Sequence, residues 1–181
     1  MSNEPTTLEK LRGLPWSVAC NAANAVFSQF VFFGSVFVLF LNTLGMSKTA
    51  IGFVLALIPF SAMLAPLAAP VAARYGYKRI FLVFYGLRKV VTALLLVTPW
   101  VQAQWGARAT LLFVAGVVAL FAIARSLEET AYIPWVQEFV PNSVRGKYSA
   151  ASNIFTALVG FMAVWVAGAV LAVYQGLPGF L

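Results

Sequence analysis

The chain has no histidine and no aspartate, and its one cysteine is Cys20. Without histidine and with a single thiol, the usual zinc and iron ligand sets cannot be assembled and no internal disulfide can form. Carboxylates are confined to Glu4, Glu9, Glu128, Glu129 and Glu138, so proton-transfer chemistry would have to use one of these, a Tyr, a Lys or the thiol. That set is too small to name a reaction: no enzyme activity, metal or cofactor is expected. Charge is scarce as well, at 9% of 181 residues against 62% hydrophobic. So few polar residues cannot coat a water-soluble core of that size, and the lipid bilayer is the expected solvent.

What is abundant is long apolar runs. A helix needs roughly 20 apolar residues to cross the hydrocarbon, where only helices and closed barrels satisfy every backbone group. Five segments qualify, at residues 18–41, 51–73, 80–100, 111–135 and 148–174, the fourth ending somewhere between Thr130 and Val140. Their length and lack of strict alternation argue against a barrel. The predicted fold is all-α, a polytopic bundle of about five transmembrane helices forming one domain over residues 1–181.

The net charge of +7 is scattered in short groups between these runs and forms no continuous face for nucleic acid. Its placement reads as topology. Lys10 and Arg12 precede the first segment, Arg74, Lys78 and Arg79 follow the second, and Arg145 and Lys147 follow the fourth. The alternate connections, 42–49 and 102–108, hold only Lys48 and Arg108. The positive-inside rule then puts the amino terminus and the connections 74–79 and 141–147 in the cytoplasm of a cell whose plasma (inner) membrane the chain crosses.

The second connection reads Ala69-Pro-Val-Ala-Ala-Arg74-Tyr-Gly76-Tyr-Lys78-Arg79, and the fourth Val140-Pro141-Asn-Ser-Val-Arg145-Gly146-Lys147. Arg74, Gly76, Lys78 and Arg79 match a Gly-x-x-x-Asp-Arg-x-Gly-Arg-Lys pattern, with Ala69, Ala73 and Tyr77 departing from it. Pro141, Arg145 and Gly146 match a Pro-x-x-x-Arg-Gly turn. In this order and spacing the two motifs resemble the cytoplasmic signature loops of the amino-terminal half of major facilitator superfamily (MFS) transporters. The resemblance implies a role for the first loop in holding the outward-facing state, beside setting topology. Ala73 stands where that family carries the acidic member of the latch. Arg74 and Arg145 suit either capping of helix-end carbonyls or pairing with lipid phosphate.

Polar residues inside the apolar runs are the candidate functional groups, because an unsatisfied polar atom in lipid is costly. On one continuous helix Asn21, Asn24, Ser28 and Ser35 would fall within about 60° of one another, with Gln29 to one side. This stripe suits two roles: substrate contact, since the first helix lines the cavity in the resembling family, or hydrogen bonding between helices. Arg88, also a candidate for substrate contact, and Lys89 lie roughly 12 Å beyond the start of the third segment and need partners or water. Arg125, Glu128 and Glu129 on the fourth offer three readings: local pairing on their own helix, an interhelical salt bridge to Arg88 or Lys89, or ion coupling through a carboxylate. Small residues at Ser61, Ala65 and Ala69, and at Ala157, Gly160, Ala167 and Gly168, are expected at helix contacts. Pro59, Pro66 and Pro70 are expected to bend the second helix.

Together these features predict a secondary active transporter that moves a small solute by alternating access, with a proton or cation as coupling ion. Five spans make less than a full transporter of this type, so a missing carboxyl-terminal half or a second subunit is expected as partner. The alternative is a membrane assembly or interaction protein that reuses the fold without transport.

Overall fold

A computed structural model describes residues 7–32 and 34–173. Glu4 and the segment 174–181, with the end of the fifth expected span, lie outside the described residues. Seven α-helices and three 3-10 turns account for nearly all of the described chain, and no strand occurs among the described residues. The helices are α1 (Thr7–Val31), α2 (Ser35–Thr43), α3 (Lys48–Ser61), α4 (Ala65–Tyr75), α5 (Tyr77–Ala93), α6 (Thr98–Phe139) and α7 (Arg145–Val173).

Two of the 3-10 turns have the same cause. Proline lacks an N–H and its ring clashes with the carbonyl four residues earlier. Pro66 therefore disturbs the helix at Ala62, and the chain tightens into the turn Ala62–Leu64; Pro99 does the same to Leu95 within Leu94–Val97. The turn at Ala62–Leu64 is the place where the expected effect of the prolines on this segment is seen. Ser61 is buried as expected, but Ala68 and Ala72 are buried on α4 while Ala69 is exposed. The buried positions lie seven and eleven residues beyond Ser61, within about 20° of its face at 3.6 residues per turn, whereas Ala69, eight residues on, is turned about 80° away.

The connections are shorter than the sequence suggests. Residues 74–79 contract to one non-helical position, Gly76, whose φ of 91° is open to glycine and strained for other residues. The Gly76 amide still bonds to the Ala72 carbonyl at 3.0 Å, and its own carbonyl accepts from Ile80 at 3.1 Å, so α5 starts at once. The connection expected at 102–108 contracts in the same way: Gly106, at φ 74° and ψ −178°, is a kink that separates two helical stretches within α6. The third and fourth expected segments lie on either side of this kink in one stretch, so that the long apolar helical stretches among the described residues are 8–43, 48–75, 77–139 and 142–173, the third holding two of the expected segments. At 63 residues and about 1.5 Å per residue, this stretch is long enough for one crossing on each side of Gly106.

The chain divides into two compact units. The described part of the first contains residues from 7–37 and 136–173. Here α1 and α7 run parallel in a steady register: Ser17 meets Tyr148, Asn21 meets Ser152, and Ala25 and Gln29 face Gly160. Small residues permit this approach, with Ala22, Ala25, Ser152, Gly160, Ala163 and Ala167 all buried. Of the expected contact residues on α7, Gly160 and Ala167 are buried, whereas Ala157 and Gly168 are exposed.

The second unit, residues 38–135, packs α3 to α5 with most of α6. Ala72, Ile80 and Ala131 form a buried contact covered by Tyr77, Phe81 and Phe84. Gln102 donates to the Leu44 carbonyl at 3.2 Å and anchors the turn after α2.

Candidate functional site

On α6 the positions 124, 128 and 131 recur on one helical face, and all three are buried. Two of them are alanines; the third is Glu128, 6% exposed. Glu129, one residue further and about 100° around the helix, is exposed. On α5 the buried positions Ile80, Arg88 and Val91 also share a face, which puts Arg88 on the packed side, 4% exposed. The two faces meet. Arg88 Nη1 lies 2.9 Å from Glu128 Oε2.

The Tyr85 ring supports this pair. It precedes Arg88 and Lys89 by three and four residues, and the Arg88 guanidinium and Lys89 ammonium lie 4.8 and 4.9 Å from its centre. Phe81 stacks on Tyr85 at 5.3 Å and also contacts Tyr132 and Trp135 of α6, so aromatic rings flank the ion pair. Arg125 pairs with Glu129 on its own helix. Two of the sequence readings thus hold together: Glu129 takes the local partner while Glu128 bridges the helices. The open end of the fourth segment is settled as well, since α6 continues through Thr130 to Phe139.

The polar stripe is resolved differently. Helix α1 ends at Val31 and Ser35 opens α2, so Ser35 is not carried around to Asn21 by one continuous helix, and the four-residue stripe is corrected accordingly. Asn21 donates through Nδ2 to Ser152 Oγ at 3.0 Å and to the Tyr148 hydroxyl at 3.4 Å. Ser17 and Tyr148 share a hydrogen bond of 2.7 Å. Asn24 and Ser28 are half-buried on α1, and the Gln29 amide lies against Gly160. Asn21 is therefore part of a seam between helices. Tyr85, Ser17, Tyr148 and Ser152 were missed by sequence reasoning, although the spacing of four within Ser17–Asn21, Tyr148–Ser152 and Tyr85–Lys89 was available as a signal. Replacing Tyr148 by Phe is expected to cost about 1 kcal/mol, the net worth of a half-buried hydrogen bond, read as a lower unfolding midpoint in micelles.

Of the signature-loop residues, Arg74, Lys78 and Arg79 are exposed, and Arg74 lies 5.8 Å from the centre of the Tyr75 ring. At the other loop, Pro141 precedes the 3-10 turn Asn142–Val144 and Gly146 lies in the first turn of α7. Arg145 donates to the carbonyls of Gln137 at 3.2 Å and Val140 at 3.4 Å, the first of the two roles open to it. Lys10 adds a hydrogen bond of 3.1 Å to the Glu138 carbonyl at the same helix end. Among the described residues, no group of His, Cys, Asp or Glu suited to a metal occurs.

These apolar runs, the two cation-bearing glycine turns and the intramembrane ion pair coincide with a family-level match. The family model of the Major Facilitator Superfamily matches residues 3–164. The chain belongs to that superfamily. No curated protein and no solved structure matches it. Superfamily members are transporters rather than enzymes, and this chain is accordingly a multi-pass membrane protein of transporter type. The match covers both loop motifs and both units, so the departures at Ala69, Ala73 and Tyr77 are variations inside a superfamily member.

Proposed function

We propose that this superfamily member is a secondary active carrier that moves a small solute across the plasma (inner) membrane by alternating access, with its amino terminus in the cytoplasm. The observation that supports it is the Arg88–Glu128 pair, almost wholly buried between two apolar helices. Burying two charges costs several kcal/mol per ion before their attraction is counted, and a packed apolar pair would hold the helices at least as well. Ionisable residues kept at such positions in membrane proteins characteristically serve solute or ion pathways. In this reading Glu128, with Arg88 as its counter-ion, is the coupling group for a proton or cation, and Lys89, Arg125 and Glu129 set the local field. Asn21, Asn24, Ser28 and Gln29 on α1, with Arg88 on α5, are the solute-contact candidates in this reading. The distribution of Lys10, Arg12, Arg74, Lys78, Arg79, Arg145 and Lys147 supports the orientation.

Counterflow tests the proposal. Vesicles holding the reconstituted protein and preloaded with unlabelled solute should take up the labelled form faster than empty ones, for at least one member of a panel of sugars, amino acids and organic ions. The rate should saturate with concentration. Flux that is linear in concentration, without acceleration from the far side, would defeat the carrier reading; stable capture of a partner protein without any flux would point to an assembly role.

A further inference from the structure

Between α1 and α7, within the first unit, lies an open groove with a cavity volume of about 550 Å³. Leu11, Val18 and Ala22 line it from α1, and Ala151 and Phe155 from α7, so its walls are almost entirely apolar. Tyr148 also borders it, but the phenol hydroxyl is engaged by Ser17 and Asn21. The charged lining residue is Lys147, at the end where both helices begin, and it is exposed. Lys10, Arg12 and Arg145 lie in the opening turns of the same two helices and outnumber the one carboxylate there, Glu9.

We propose that this groove is a binding site for one anionic phospholipid, an acyl chain lying along the apolar walls and the phosphate meeting the Lys147 ammonium. The volume is within the range of small-molecule sites, but a polar solute would find almost no hydrogen-bonding partner inside it. A zwitterionic lipid such as phosphatidylcholine would fill the walls and offer its phosphate, but would also bring a quaternary ammonium beside Lys147. An anionic phospholipid satisfies both walls and cation with one molecule, and basic pockets between membrane helices are known to hold acidic headgroups. The site is independent of any transported solute and of the Arg88–Glu128 pair, which belongs to the other unit.

Native mass spectrometry of the full chain in micelles, with equal amounts of dioleoyl phosphatidylglycerol and dioleoyl phosphatidylcholine, tests this. The expected result is one bound lipid with about a fivefold preference for phosphatidylglycerol, the factor contributed by one cation near an anionic headgroup. Lys147→Gln should bring the two lipids to near parity. Ala19→Phe, at an exposed alanine that also lines the groove, should lower retention of both lipids. Both changes are at exposed positions, and circular dichroism confirms that the helices persist. Equal binding of the two lipids by the unaltered chain overturns the proposal. So does a preference that survives Lys147→Gln, retention that survives Ala19→Phe, or a protein dimer in place of the lipid-bound monomer.

Discussion

Glu128→Ala is expected to destabilise the protein by about 3–5 kcal/mol, the cost of breaking a buried ion pair by removing one partner. The guanidinium of Arg88 stays charged in any protein environment, and at 4% exposure it has little access to water. Losing the carboxylate at 2.9 Å leaves that charge between apolar helices, where the ring of Tyr85 is a weak substitute for it. The double change Arg88→Met with Glu128→Leu removes both charges together and should restore most of the loss, because a well-packed apolar pair matches or exceeds a buried salt bridge in stability. Glu129→Ala is the internal control. Its partner Arg125 is on the same helix and its own side chain is more than half exposed, so the cost should stay below about 0.5 kcal/mol. Denaturant unfolding in micelles distinguishes these outcomes. Equal losses for Glu128→Ala and Glu129→Ala, or a double variant as unstable as the single one, would refute the interhelical bridge. If the double variant is stable yet shows no counterflow, the pair serves transport instead of folding.

Gly160→Leu is expected to cost about 3 kcal/mol, the upper part of the range for overpacking a close helix contact. Gly160 is buried where α7 passes α1, and a methyl group added to it would meet Gln29 Nε2 at 3.6 Å, Gln29 Cγ at 3.8 Å and the Ala25 methyl at 4.0 Å. Those are ordinary contacts, so Gly160→Ala should be neutral or slightly stabilising, since alanine loses less backbone entropy in a helix. A leucine has no room to extend without displacing Gln29 or separating the helices. The contrast between the two substitutions carries the test. If leucine is tolerated as well as alanine, the parallel α1–α7 register is wrong; if alanine already disrupts the protein, the contact is tighter than described.

Several elements were legible from residue order alone. The turn in the second apolar segment followed from Pro66, because the conflict between a proline ring and the carbonyl four residues back is local, whereas Pro59 and Pro70 lie inside regular helix. Gly76 was legible as a tight turn for the same reason. The charged residues of α5 and α6 could be named as mutual partners, because a bilayer leaves them few other options. The break between α1 and α2 was not read from the sequence, although Gly34 stands at it: a Cβ there would collide with the Gln29 carbonyl oxygen, a clash that only the folded backbone reveals. Nor was the contraction of residues 102–108 to a single glycine: their polar and interfacial composition suits a loop, yet helical hydrogen bonding accommodates it on both sides of Gly106.

Hydropathy and the order of cations by themselves determined that this chain is a helical membrane protein with the loop motifs of its superfamily, because transfer into lipid depends on composition summed along each segment. Which side chains meet was decided only by the tertiary structure. Glu128 and Glu129 are equivalent on hydropathy and adjacent in sequence, yet one is bonded across to α5 and the other to its own helix. The rotation of α6 against α5, set by packing around Ala131 and Ile80, distinguishes them, and no local property of the two residues does.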